Sequence, residues 1–288
     1  MILMLRGHIR NSFNTRDLYE LIKELAAHVH IDIYIHTWTV VQSNMSWRAL
    51  KQDNTPVTQE TIVTYFDDLA PLIKHIIIED DSNIVLNGNL EGRVGSSRAP
   101  LLGWKRYWYG QYHMMQYIAA NMKDDDAILN MRFDVLENSC SLLPEHIVNF
   151  VTALDPPFTK NVFMKHEEFA GCDNVYAGSV NTMLALITHF HENLDSILEL
   201  EHRIQYQEYL VMRENDAIFD SSSFIRHLSP GVGVTFSGLP ISYYCSVEPF
   251  GDRAEAIRAR SWLDDIHALV LMIKEGLGGI CSCGRMLI

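Results

Sequence analysis

The chain carries none of the short signatures that would name its chemistry outright. There is no Gly-x-x-x-x-Gly-Lys-[Ser/Thr] run, no Gly-x-Gly-x-x-Gly after the first strand-like segment, and no Gly-x-Ser-x-Gly turn. Those gaps set aside the phosphate loop, the dinucleotide fingerprint and the α/β-hydrolase nucleophile elbow. His166-Glu167 and His191-Glu192 do not extend to the His-Glu-x-x-His of zinc proteases. Basic residues are outnumbered, 23 Lys and Arg against 36 Asp and Glu, for a formal charge of −13. A general nucleic-acid binder needs a phosphate-neutralising surface, and this balance argues against one. The five cysteines are odd in number and irregular in spacing, which argues against a disulfide framework and makes the reducing cytosol the default compartment. Cys281-Ser282-Cys283 lacks a second pair at zinc spacing and reads as incidental. No apolar run reaches membrane-spanning length, and residues 1–5 are too few for a signal segment.

What is present is the composition of a globular protein with a full core: 288 residues, 48% hydrophobic and 20% charged. Neither a repeat nor an interdomain linker is visible, so a single domain over 1–288 is expected. Residues 2–5 read as a buried strand and 6–12 as a loop. Asn14 suits a helix N-cap, followed by Leu18, Leu21, Ile22, Leu25, Ala26 and Val29 on one helical face. A strand over 31–35 then ends at His36-Thr37-Trp38. That order, strand–helix–strand, predicts a parallel pair.

The alternation continues. Thr58 can cap a helix through Ile62, Phe66, Leu69 and Ile73, bent at Pro71. A strand at 76–78 ends at Glu79-Asp80-Asp81, and 82–103 reads as a long loop. The aromatic-rich segment 104–122 predicts a helix packed on the sheet. After the acidic turn Asp124-Asp125-Asp126 comes a strand over 127–131 that leads into Arg132-Phe133-Asp134. A helix starting at Pro144 and carrying Ile147, Phe150, Val151 and Leu154, a short strand at 161–164 and a strongly periodic helix over 178–200 follow. Beyond them, 203–228 and 252–276 read as helical, with strands at 232–236 and 241–247. The whole predicts an α/β sandwich with a mainly parallel central sheet flanked by helices.

In such sheets ligands bind beyond the carboxyl ends of the strands. Those ends bring together Arg6, Gly7, His8 and Arg10; His36, Thr37 and Trp38; Glu79, Asp80 and Asp81; and Arg132 with Asp134. Arginine, glycine and carboxylate converging on one edge suit a phosphorylated ligand: glycine lets the backbone approach, guanidinium pairs with phosphate, and a carboxylate can hold a bridging divalent metal. Taken singly each residue has a plainer reading. Arg10 serves equally well as a surface arginine, His36 as a satisfied core histidine, and the acidic triplet as a solvated turn. Their joint placement is the signal.

Three segments in order, Leu5-Arg6-Gly7-His8-Ile9-Arg10, Asp32-Ile33-Tyr34-Ile35-His36-Thr37-Trp38 and Asn130-Met131-Arg132-Phe133-Asp134, resemble a family of GT-A-type glycosyltransferases. Its members occur in bacterial surface-polysaccharide clusters, among them the WavE-like lipopolysaccharide-synthesis group, and in large DNA viruses. The resemblance covers about residues 1–137, with weaker likeness to residue 228. It implies a GT-A-like Rossmann-type sandwich with a nucleotide-sugar-binding half at 1–137 and an acceptor-side half at 138–288. By it, Arg6, Gly7, His8 and Arg10 line the donor pocket with His36 and Thr37 beside them. Arg132-Phe133-Asp134 stands where such enzymes carry an Asp-x-Asp-like motif, so that Asp134 would hold Mn²⁺ or Mg²⁺ against the diphosphate. The first carboxylate of that motif is replaced by Arg132, which can itself pair with diphosphate and puts the metal requirement in doubt. Asp220, just before Phe224 and Leu228, is the expected acceptor-side base, with helix capping as its plainer role. Trp104, Trp108 and Tyr109 can stack on a sugar ring, although core packing is their commoner use.

The implied activity is transfer of a sugar from a nucleoside-diphosphate sugar to a glycan or glycoconjugate in the cytoplasm (the host's, for a viral protein), with neither nucleic acid nor membrane span involved. Two other classes stay open: a non-catalytic carbohydrate-binding or scaffold protein of the same fold, and another nucleotide-dependent transferase such as a nucleotidyltransferase.

Overall fold

Ile-Leu-Met-Leu-Arg forms the first strand, β1 (Ile2–Arg6), and all five residues are buried. A strand covered on both faces must read as a continuous apolar run, and this one does until its last residue. In this computed structural model residues 1–46, 50–93, 100–137, 143–164, 174–200, 279–280 and 286–287 are described, with backbone only at 198–200, 279–280 and 286–287. The helices expected at 203–228 and 252–276, the strands at 232–236 and 241–247, and Asp220 lie outside the described residues.

After β1 come α1 (Asp17–His28), β2 (Asp32–Trp38), the hairpin β3 (Val40–Gln42) and β4 (Asp53–Pro56), α2 (Gln59–Phe66) and β5 (Ile73–Glu79). The 21-residue α3 (Leu101–Asn121) leads to β6 (Ala127–Arg132), α4 (Pro144–Thr152), β7 (Val162–Phe163), β8 (Val175–Ser179) and α5 (Val180–Leu200). The short strands β9 (Gly279–Ile280) and β10 (Met286–Leu287) pair antiparallel.

The central sheet has six strands in the order β5-β2-β1-β6-β8-β7. β1, β2, β5 and β6 are parallel, whereas β8 runs antiparallel to both β6 and β7. Alternate strand residues divide the sheet between two helical layers. Leu3, Leu5, Ile33, Ile35, Leu129 and Met131 join Leu18, Leu21 and Leu25 of α1, Phe66 of α2 and Ile147 and Val151 of α4 in one apolar core. On the other face α3 and α5 pack together and against β1, β2, β6 and β8. No helix among the described residues is long and apolar enough to cross a membrane.

Two features of the topology position everything that follows. Strands run outward from β1 to β2 and β5 on one side, while α3 carries the chain back across the sheet to β6 on the other. The order therefore reverses between β1 and β6, which is where open α/β sheets leave a crevice at the strands' carboxyl ends. The register is also level: Arg6 pairs with His36 on β2 and with Arg132 on β6.

Several local expectations are corrected. Asn14 does not cap α1; residues 11–16 turn on themselves, Asn14 bonds back to Asn11, and the helix begins at Asp17. Thr58 does cap α2 through Thr61, but the helix stops at Phe66. Pro71 sits in a separate 3₁₀ segment, and Ile73 opens β5 instead of extending the helix. Leu154 falls beyond α4. Gly178 belongs to β8; α5 starts after Ser179, whose hydroxyl accepts from the Thr182 backbone N–H at 3.2 Å. Ile73 and Leu154 continue the apolar period of the helix before them, and hydrogen bonds from Ile73 to Ala70 and from Leu154 to Val151 mark where each helix has ended.

α3 lies against the sheet at a glycine. A Cβ added at Gly110 would sit 2.5 Å from Cε1 of His36, a ring only 1% exposed and bonded to Glu79. Overpacking of this kind costs about 1–3 kcal/mol, and alanine's better helix propensity offsets only about 1 kcal/mol. Gly110→Ala is therefore expected to destabilise the fold by up to ~2 kcal/mol in urea unfolding; a midpoint equal to or above the parent's would show that the helix can lift off the sheet at no cost.

Candidate functional site

β1 ends at Arg6 and the chain turns at Gly7, whose φ of +92° lies in the left-handed region that glycine occupies without penalty. The turn is fastened to β2: Gly7 N–H donates to the His36 carbonyl at 3.1 Å, and the Thr37 hydroxyl donates to the Gly7 carbonyl at 2.9 Å. Arg10 also has a positive φ, +51°, which is uncommon for a side-chain-bearing residue. Its N–H is held by the Val41 carbonyl at 3.0 Å. The loop leaving β1 is thus stitched to the next strands, and it carries Arg10 across to the end of β6.

Arg6 is 3% exposed, and its charge is held by polar groups of the α3 face. Its Nε donates to Oδ1 of Asn130 on β6. Asn130 in turn donates to Gln111 Oε1 and to the Tyr176 hydroxyl, each at 2.9 Å, and that hydroxyl donates to Gln111 at 2.6 Å. The guanidinium lies 4.6 Å from the centre of the Tyr107 ring, a cation–π contact. Such a network orients a side chain firmly because every member is satisfied by another.

Asp134, 2% exposed, is gripped from two sides. Arg132 approaches with two nitrogens, Nε to Oδ1 at 2.8 Å and Nη2 to Oδ2 at 3.1 Å. Arg10 Nη1 donates to Oδ2 as well. Between the two charged residues, Phe133 turns into the opposite apolar core, its N–H on the Arg6 carbonyl and its own carbonyl on the Ser12 hydroxyl. The alternation of Arg-Phe-Asp explains why both charges face the cleft while the ring between them anchors the segment.

The cleft at these strand ends encloses about 110 Å³. Among the described residues four arginines (Arg6, Arg10, Arg106 and Arg132) and two carboxylates (Asp81 and Asp134) line it, two positive charges in excess on a chain of net charge −13. Arg106 comes from α3 and is held by both the carboxylate and the carbonyl of Asp81, each at 2.7 Å. Trp38, Trp104 and Tyr107 supply aromatic walls, with Trp104 stacked on Tyr107 at 4.7 Å. The Trp104 Nε1 and Arg106 Nε donors are buried without an acceptor among the described residues. His8 closes one side, its Nδ1 3.2 Å from the Val40 carbonyl. Burial above all, with help from the charges of Arg10 and Arg106, lowers its pKa to about 4. The imidazole is therefore neutral at pH 7.

Of the residues expected at a donor pocket, Arg6, Gly7, His8, Arg10, Arg132 and Asp134 line this cleft together. His36 and Thr37 stand behind it. His36 is buried with Nε2 2.8 Å from Glu79 Oε2, and burial lowers its pKa; Thr37 braces Gly7. The acidic triplet divides three ways: Glu79 meets His36, Asp80 folds a turn with Ser82 and Asn83, and Asp81 holds Arg106. Trp108 is wholly buried and stacked on Phe190, so it packs the core, and Tyr109 does not reach the cleft. Arg106 was not anticipated; the available signal was a lone arginine among the aromatics of a buried helix. Ser43, Met45 and Ser46, between β3 and β4, also reach the cleft and had no signal at all.

The donor set does not suit a divalent cation. Both oxygens of Asp134 already accept guanidinium hydrogen bonds, the Asp81 carboxylate is taken by Arg106, and the surrounding field is positive. Among the described residues no group of three or more His, Cys, Asp or Glu is arranged to hold a metal. What the arrangement suits is an anion with several oxygens, which guanidinium forks bind in pairs. Neither a family model, nor a curated protein, nor a solved structure matches the chain.

The neutral histidines generate a prediction. His8 and His36 have folded-state pKa values below the 6.5 of an unfolded imidazole, so the unfolded chain takes up protons first on acidification. Their contribution to stability is fully present above pH 6.5 and, for His8, is lost as the pH falls to about 4. Thermal midpoints measured from pH 8 to pH 4 are expected to hold steady down to about 7 and then drop. His8→Gln should flatten part of that slope; an unchanged slope would mean that His8 is not among the groups responsible.

Proposed function

We propose that this cleft binds the diphosphate of a nucleotide sugar and that the protein is a GT-A-type glycosyltransferase acting on a glycan or glycoconjugate. The observation that carries the reading is the convergence of Arg6, Arg10 and Arg132 at the carboxyl ends of β1 and β6, where the strand order reverses. A nucleoside diphosphate offers the multiply charged anion that such a cluster binds, and aromatic walls suit the base and the sugar that flank it. The three segments that resemble the glycosyltransferase family supply this cleft and its backing, which adds support from the sequence side. The proposed compartment is the cytoplasm, in keeping with the cysteine pattern.

In the reaction the bond between the sugar's anomeric carbon and the diphosphate oxygen breaks, and a bond to an acceptor hydroxyl oxygen forms. The leaving diphosphate keeps the electron pair, and guanidiniums fixed before the reaction stabilise that growing charge without reorganising. The acceptor's proton goes to a base, for which Asp220 is the proposed residue. His8, neutral and fixed at one nitrogen, offers the cleft an uncharged polar group.

One observation favours a second reading. The grip of two arginines on Asp134 also fits a protein that binds a sugar nucleotide or acidic glycan without turning it over. Incubation with UDP-, GDP-, CDP- and dTDP-sugars separates the possibilities. Release of nucleoside diphosphate above background, faster with acceptor, is the expected result. Release of pyrophosphate would instead indicate a nucleotidyltransferase, and binding without any release a non-catalytic protein. Arg10→Ala and Arg132→Ala each remove a charged hydrogen-bonding partner worth about 1.5–3 kcal/mol, so donor affinity should fall about 10- to 100-fold. Affinity unchanged in both variants would move the donor site elsewhere.

A further inference from the structure

The geometry points to a diphosphate site that works by arginine alone, in which Asp134 is a positioning residue for Arg10 and Arg132 and not a metal ligand. The inference rests on the reading of the cleft as a nucleoside-diphosphate site and says how that site holds its charge.

Asp134 meets the requirements of a clamp better than those of a ligand. Its side chain is 3% exposed, and its two oxygens take three guanidinium hydrogen bonds, two from Arg132 and one from Arg10. A cation coordinated by it would sit beside the guanidiniums of both arginines, in a cleft whose described charged residues already carry an excess of positive charge. A divalent ion entering there meets four guanidiniums against two carboxylates, each of the two already paired with arginine. A diphosphate entering the same space offsets that charge.

The clamp also answers a problem that an arginine site creates. Arg10 sits on the loop after β1 and Arg132 at the end of β6, and their like charges oppose close approach. A carboxylate between them binds both, offsets part of the repulsion, and fixes the plane of the Arg132 fork through two contacts. Arg10 is brought to this position by a backbone at φ +51°, held by the Val41 carbonyl. Arg6 is fixed separately through Asn130. The guanidiniums are thus set before the anion arrives, so binding spends little on ordering them.

The test is calorimetric titration of the full-length chain with UDP, GDP, CDP, dTDP and inorganic pyrophosphate, once in EDTA and once in Mn²⁺ or Mg²⁺. The expected result is that at least one nucleoside diphosphate binds with affinities in EDTA and in metal that agree within about twofold, a difference of only ~0.4 kcal/mol. Binding that appears only with metal would overturn the arginine-only site while leaving the donor site standing. Absence of binding in both arms would overturn this inference and the donor site together.

Asp134→Asn then separates the roles of the carboxylate. By charge alone, removing an anion from an anion site tightens binding. A metal ligand's loss weakens binding in the metal arm only. Loss of a positioning residue weakens it about tenfold in both arms, ~1.4 kcal/mol, and that is the expected outcome. Tighter or unchanged binding in EDTA would overturn the positioning role. If Asp134→Asn does not fold, Arg132→Lys serves instead. It keeps the charge but loses the two-point contact, and the same tenfold loss is expected without metal; full affinity would overturn the inference.

Discussion

The Asp134 carboxylate takes hydrogen bonds from two guanidiniums, one on the loop that leaves β1 and one at the last residue of β6. Three charges drawn out of water are costly, and the arrangement persists only because each meets partners of good geometry. Its effect is to tie together two chain segments 124 residues apart across the crevice at the centre of the sheet. The turn at Gly7, the strained backbone of Arg10 and the burial of Phe133 all make sense as conditions for that contact. Break one arm and a charged group is left buried without its partner, which costs more than the pair contributes when intact.

Behind the clamp, the two faces of the sheet do different work. The face toward α1, α2 and α4 packs one large apolar core that holds the fold together. The face toward α3 and α5 carries Arg6, Asn130, Gln111 and Tyr176 in one network and His36 with Glu79 in another. Buried polar groups weigh heavily on stability because an unmet one costs its full desolvation. Here they specify where a guanidinium stands, a task that apolar packing cannot perform. The result is a local excess of positive charge on an acidic molecule, a field that draws anions to one place and repels them elsewhere.

Much of this was legible before any coordinates. A strand buried on both sides must be nearly continuously apolar, so β1 and β6 stand out as runs rich in Ile, Leu and Met that end in arginine. β2 shows Ile33-Tyr34-Ile35 before its polar end, and β5 shows Ile76-Ile77-Ile78 before Glu79. Helices with one buried face leave a 3.6-residue period, hence α1, α2 and α5. Boundaries were less legible. Ile73 continues the pattern of the helix before it but opens β5, Asn14 has the chemistry of a cap but lies ahead of the helix that forms, and Gly178, read as the start of a helix, belongs to β8. The hairpin β3–β4 was missed because short strands carry too few residues to establish a period, and β8 because its Gly178 was read as the start of the next helix.

The site divides in the same way. Which residues end the central strands is a property of the one-dimensional pattern, so Arg6, Gly7, His8, Arg10, Arg132 and Asp134 could be assembled from strand ends alone. Which of them meet is not, because a strand end says nothing of side-chain direction or of what crosses above it. His36 and Thr37 are level with Arg6, yet they bond to Glu79 and to Gly7 behind the cleft. Arg106 lies in the interior of a helix, where no pattern marks it, and enters only because α3 crosses the strand ends. By itself the sequence determined the layered α/β architecture and the charged edge, because burial imposes its period on every strand and helix. Only the tertiary structure decided that Asp134 faces two arginines, because that contact depends on three-dimensional proximity between segments with no local reason to meet.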